Sequence, residues 1–213
     1  MERRDDLSKL LLDRVVEATI AGEKEKAINL ARQMTQEGDA MHDMLLDMLE
    51  SSLTYIAEKL GEESVAEAWR YIAEDCWKPF FEQFKDMDYD QKVDTFASLH
   101  RAHGSDFSVE QDEEKTVFVI KSCGGGGKLR KEGKLDYTDR HPMNGGTTKK
   151  PYWWSDDQSG VPYYCVHAPL WLDVLPKEWG CPIFECHYGK QFDDEGNPVD
   201  EPCREILYRE QRP

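Results

Sequence analysis

Phe107-Ser108-Val109-Glu110-Gln111, then Asp112-Glu113-Glu114, then Lys115-Thr116-Val117-Phe118-Val119-Ile120 is the stretch that decides the fold class. Two runs rich in β-branched and aromatic residues flank a polar turn, and that pattern predicts a β-hairpin. The chain before it keeps a helical period, and the chain after it is short of any long helix.

Upstream, Leu10, Leu11, Val15, Val16 and Ile20 recur at helical spacing behind acidic residues that suit a helix start. Gly22 ends this segment, and Lys24 to Met34 resumes with Ala27, Ile28, Leu30 and Ala31. Gly38 is expected to break the second helix, with Asp39 capping a third. Met41, Leu45, Met48, Leu49, Leu53, Ile56 and Leu60 then form one apolar stripe, closed by Gly61. A further helix is expected from about Glu63 through Val65, Ala68, Ile72 and Trp77 to Pro79 or beyond. Another spans Tyr89 to His103 and stops at Gly104. Short connections between helices predict antiparallel neighbours, as in a bundle.

Downstream, the second strand runs into Cys123-Gly124-Gly125-Gly126-Gly127-Lys128. Residues 133–160 are polar, Gly-rich and aromatic, and read as a long ordered loop carrying Trp153 and Trp154. Val161 to Val174 reads as a strand followed by a short helix. Pro182 to Tyr188 alternates like a strand, residues 193–198 form a turn, and Cys203 to Tyr208 is a closing strand that pairs back on it. The expectation is an α+β protein in which a helical N-terminal bundle packs on a small mixed or antiparallel sheet. A helical region, 1–104, precedes a Cys/His-rich α+β region, 105–213, and the two could share one core.

Composition narrows the function. The 213 residues carry a net charge of −16, with 39% hydrophobic and 33% charged residues. That balance suits a folded chain long enough to bury a core. The negative surface repels phosphate backbones and anionic lipid, so neither nucleic acid nor membrane is an expected partner. No stretch approaches the roughly 18 consecutive apolar residues of a membrane span. The first residues do not form a signal-peptide core, so the expected compartment is the cytoplasm. There the six cysteines, Cys76, Cys123, Cys165, Cys181, Cys186 and Cys203, read as thiols or metal ligands rather than disulfides. Self-association is left open.

Four constellations could carry chemistry. The glycine run, with Gly125 and Gly126 followed by Lys128 and Arg130, could cradle a substrate carboxylate on backbone N–H groups. Its bland alternative is a flexible turn. It is not a nucleotide phosphate loop: Ser122 stands where a glycine is required and Leu129 where Ser or Thr is required. No nucleotide cofactor is therefore expected.

Cys165-Val166-His167, if extended, puts a thiol and an imidazole on one side of a strand. Joined by Cys123 and by His141, whose backbone is held extended before Pro142, they make a candidate zinc or iron set: Cys123, His141, Cys165 and His167. Without a metal, Cys165 reads as a nucleophile and His167 as its base. Buried thiols and ordinary histidines explain the same letters. His100 and His103 share a helix face at a spacing that also suits a metal. Asp39 and His42 resemble half of a di-iron bundle motif, but the paired Glu-x-x-His segments are missing and Asp39 also serves as a cap. Trp154, with Tyr152, Trp153, Tyr163 and Tyr164, could wall a ligand pocket or simply cover a core.

The C-terminal order of Gly180-Cys181-Pro182, an acidic turn, and Pro202-Cys203-Arg204-Glu205-Ile206-Leu207-Tyr208 resembles the end of the L-2-amino-thiazoline-4-carboxylic acid hydrolase-like proteins. It also resembles the related vinyl-reductase-type small-molecule domains. The resemblance covers about the last 50 residues and implies a small-molecule hydrolase or binding domain. Taken together, the sequence predicts a cytoplasmic hydrolase or lyase acting on a small anionic molecule. The alternative is a non-catalytic metal- or ligand-binding regulatory module.

Overall fold

A computed structural model describes residues 8–135, 144–190, 199 and 201–212. The chain divides into two compact units, Met1–Leu45 and Leu46–Pro213.

Helix α1 spans Leu11–Ile20 in the first unit, and Gly22, at φ +73°, turns the chain into α2, Lys24–Leu60, whose residues up to Leu45 belong to the first unit and the rest to the second. Helix α2 is one unbroken helix of 37 residues, so the break expected at Gly38 does not occur. A lone glycine costs a helix only about 1 kcal/mol, less than the flanking apolar periodicity supplies. Gly61, at φ +98°, ends α2 as the sequence predicts.

In the second unit, α3 (Glu63–Ile72) runs through a π-helical turn (Ala73–Trp77) into α4 (Lys78–Lys85). Helix α5 (Tyr89–Ala102) begins at a reciprocal cap, with Asp88 accepting from the Gln91 backbone and the Gln91 side chain accepting from the Asp88 N–H. The predicted hairpin follows as β1 (Asp106–Gln111) and β2 (Lys115–Ser122). A short helix α6 (Gly126–Lys131) comes next. Tyr163–Val166 forms a 3₁₀ turn that continues through α7 (His167–Pro169), a second π-helical turn (Leu170–Val174) and α8 (Leu175–Glu178). Strands β3 (Phe184–His187) and β4 (Cys203–Tyr208) complete a four-stranded antiparallel sheet in the order β1-β2-β4-β3. The protein is thus α+β, and among the described residues every strand follows Gly104.

Of the strand and short helix expected over Val161–Val174, the strand is a correction: the segment is helical from Tyr163 on, and before it Pro162 makes only an isolated bridge to Thr147. Within the helical run the buried residues Tyr163, Val166 and Leu170 are three and four apart, a helical rather than a two-residue period. Pro162 and Pro169 also remove two backbone donors that a ladder would need.

Register explains the core. Phe118, facing Glu205, and Ile120, facing Cys203, share one side of the sheet with Leu207, Phe184 and Cys186. That side packs on Phe81 and Phe84 of α4, Phe96 of α5, and Leu172. A second cluster joins Leu53 of α2, Val65, Ala66 and Trp69 of α3, Trp154, Tyr163, Val166 and Leu170. No described helix is long and apolar enough to cross a membrane.

Candidate functional site

The inner face of the sheet, the end of α5, the start of α6 and the helical run after Pro162 enclose a cavity of about 950 Å³. Cys123, Cys165, His167 and Cys203 all line it, with Cys186, His100, His103 and Glu205. Cys165 and His167 therefore meet one space, but from consecutive helical turns and not from one strand face.

The glycine run is built for contact between backbones and side chains. A β-carbon on Gly124 would lie 1.5 Å from the His103 carbonyl oxygen. One on Gly125 would lie 2.5 Å from Tyr164 Cε1, and one on Gly126 would lie 2.1 Å from Cys165 Sγ. The run thus lets Cys123 and Cys165 come to the same wall. Its backbone points at sulfur: the Gly125 N–H donates to Cys123 Sγ at 3.2 Å, and the N–H groups of Gly126 and Gly127 also favour the Cys123 thiolate. Burial outweighs them and raises the Cys123 pKa. Burial, reinforced by Cys123 and Cys203, lifts Cys165 well above the usual thiol range, and burial raises Cys203 to about 11. All three rest as neutral thiols at neutral pH.

His167 sits in an aromatic enclosure, with ring centroids 4.9 Å from Trp69, 4.8 Å from Tyr164 and 5.1 Å from Trp171. Its Nδ1 is 2.6 Å from the Tyr164 carbonyl oxygen. A carbonyl only accepts, so Nδ1 carries the proton and Nε2 keeps its lone pair. Burial lowers the His167 pKa, so the ring is neutral. The segment holding it is pinned from three sides. Trp69 Nε1 donates to the Tyr163 carbonyl at 2.8 Å, the Tyr164 N–H donates to buried Glu50 at 2.7 Å, and Trp77 Nε1 donates to the Trp171 carbonyl at 2.8 Å.

Two acid–base residues of the cavity were not predicted as a pair. His100 Nε2 lies 3.1 Å from Glu205 Oε2, with side chains 12% and 14% exposed. Sequence reasoning placed His100 beside His103 on one helix face, and left Glu205 out. The signal was present: Cys203, Glu205 and Leu207 alternate in β4, so a carboxylate sharing the face of Leu207 must enter the core side. His103 instead stacks on Tyr164, with rings 5.9 Å apart and 14° from parallel.

Arg130 and Lys131 line the cavity, and Arg130 donates to the Gly160 carbonyl at 2.6 Å. Lys128 does not line it and pairs with Glu132 at 3.9 Å. Trp154 does not line the cavity: it is buried in the second core cluster and stacks on Tyr152 at 4.2 Å. His141 falls outside the described residues. Among those residues, no three His, Cys, Asp or Glu side chains are grouped to hold a metal ion. All six cysteines are free. No protein-family model, curated protein or solved structure matches the chain.

Proposed function

We propose that the protein is a cytoplasmic enzyme of hydrolase or lyase type that acts on a small anionic molecule bound in the 950 Å³ cavity. The observation that carries the reading is His167, neutral, with Nδ1 tied to the Tyr164 carbonyl and Nε2 available as a base. In this scheme Nε2 takes a proton from water or from a substrate C–H. Arg130 and Lys131 hold the substrate's anionic group. Cys165, kept as a thiol by burial, donates a hydrogen bond rather than attacking as a resting thiolate. The cavity volume fits a small organic molecule, and its aromatic wall suits an apolar body. Six free thiols are at home in a reducing compartment.

The test begins with mass spectrometry of small molecules released on denaturing the purified protein, and with turnover assays on a panel of carboxylate-bearing amides, esters and hydroxy acids. The expected result is turnover of at least one class, lost in His167→Gln while that variant still binds. Equal turnover in wild type and His167→Gln sinks the proposal. The alternative, a metal-dependent site on Cys123, Cys165, His167 and His141, or a non-catalytic metal- or ligand-binding module, is favoured by the same free Nε2, which is also a ligand atom. Elemental analysis finding stoichiometric zinc or iron, lost in Cys165→Ala, would select it.

A further inference from the structure

Glu205 stands in the middle of the sheet, opposite Phe118 on one side and Cys186 on the other, and its side chain, 14% exposed, lines the cavity. Taking a carboxylate out of water is costly unless a cation or several donors replace the lost hydration. Glu205 has little of either. Among the described residues no Lys or Arg pairs with it and no N–H or O–H group donates to it; its ion-pair contact is His100 Nε2, 3.1 Å from Oε2. That nitrogen is itself buried and completes no hydrogen bond. The imidazole is held where it is by the rings of Phe96, Phe107 and Phe118, with centroids 5.0, 5.2 and 5.5 Å away. The other groups that feel the Glu205 charge include Cys123, Cys186, Cys203 and His167, all of them neutral.

A buried polar group short of partners inside a cavity points to a ligand group that completes it. For a carboxylate that group is a cation with N–H donors. Oε2 is turned to His100, so the planar fork of a guanidinium, which takes both oxygens, is poorly served here. A compact ammonium on Oε1 needs only one oxygen. Elsewhere the cavity supplies an apolar wall from Trp77, Trp171 and Leu172, and cations at Arg130 and Lys131.

The geometry points to Glu205 as an ammonium-binding residue, which makes the molecule taken by the cavity an aminocarboxylate. Its primary ammonium docks on Glu205, its apolar body lies against the tryptophan wall, and its carboxylate meets Arg130 and Lys131. The carboxylate end rests on the reading of the cavity proposed above, and the ammonium end rests on Glu205. His100 is a positioning residue, packed behind Oε2.

Calorimetric titration of the full chain tests this with matched pairs of probes: phenylalanine and phenylpropionate, tryptophan and indolepropionate, leucine and isocaproate. At least one amino acid is expected to bind wild type roughly tenfold or more tighter than its partner without the amine, the scale of a hydrogen bond to a buried charge. Glu205→Gln keeps the shape and removes the charge. It is expected to abolish that preference without weakening the deamino acid, and to melt no lower than wild type when no probe is present, because it relieves a buried charge. A preference that survives in Glu205→Gln overturns the proposal. So does a Glu205→Gln protein that melts lower or fails to fold, since the Glu205–His100 contact is then a structural ion pair. If deamino acids bind wild type as tightly as amino acids, the ammonium site falls and the anionic reading of the cavity stands. If neither member of any pair binds, both fall.

Discussion

Replacing Gly126 by alanine tests the packing of the cavity wall. The new β-carbon would lie 2.1 Å from Cys165 Sγ and 3.1 Å from Pro162 Cγ. Ordinary contact lies at roughly 3.5–4.0 Å, so the sulfur must retreat by about 1.5 Å. The sulfur borders the cavity, but the turn that carries it is held between Tyr163 and Val166, 4% and 0% exposed, and the Pro162 ring at 3.1 and 3.3 Å crowds the new β-carbon as well. Overpacking of a tight interior costs about 1–3 kcal/mol, and the short gap puts this site near the top of that range. Gly126 is the first residue of α6, so alanine's helical preference returns little. The net expectation is a loss of about 2–3 kcal/mol, read from the urea midpoint at constant slope or as a fall of roughly 4–12 °C in melting temperature. Cys165→Ala removes the obstructing sulfur. The double variant should therefore be more stable than Gly126→Ala alone, with a coupling of at least about 1 kcal/mol. Gly127→Ala, whose β-carbon meets only Cys123 Cβ at 3.2 Å, is the control and should change stability by less than about 1 kcal/mol. Wild-type stability in Gly126→Ala, or strictly additive losses in the double variant, would refute the argument.

Other outcomes follow from the same geometry. His167 has a folded pKa below its ordinary 6.5, so the unfolded chain binds more protons just below that pH. Stability should fall as pH drops through 6.5, and His167→Gln should flatten that slope in acid titrations followed by circular dichroism. A thiol reagent at mildly alkaline pH should modify exposed Cys76 quickly and buried Cys181 and Cys186 only on unfolding. Two fast thiols from that buried pair would contradict the burial. Asp88→Ala breaks the cap of α5 and should cost about 1 kcal/mol in urea unfolding, with no effect if the cap is idle.

The sequence was most legible where one local signal governs. Gly22, Gly61 and Gly104 end helices because each takes a positive φ that other residues resist. The hairpin at 106–122 and the strand at Cys203–Tyr208 follow from alternation against a turn. Gly38 misled because its φ, not its identity, decides whether a helix stops. Cys165 and His167 were brought to one cavity by the wrong route. Apolar residues at 161, 163 and 165 imitate a strand, and the helical period appears only once the burial of Val166 and Leu170 is known. Alternation in β4 turns Glu205 to the core side, but its contact with His100 joins residues far apart in sequence and follows only from how the sheet packs on α5. Trp154 looked available because aromatic residues in a polar loop serve either a pocket or a core, and here α3 supplied the core.

The two π-helical turns meet through a pair of tryptophans. Trp77, at the end of one, and Trp171, within the other, have ring centroids 5.6 Å apart and planes 17° from parallel. Both indoles are part of the cavity wall. The two indoles share one environment on that wall, so their near-ultraviolet dichroism and emission are expected to report on it. Any molecule that enters the cavity changes the polarity beside this pair or its tilt. Filling of the site can therefore be followed optically, in unlabelled protein, before the chemistry performed there has been identified.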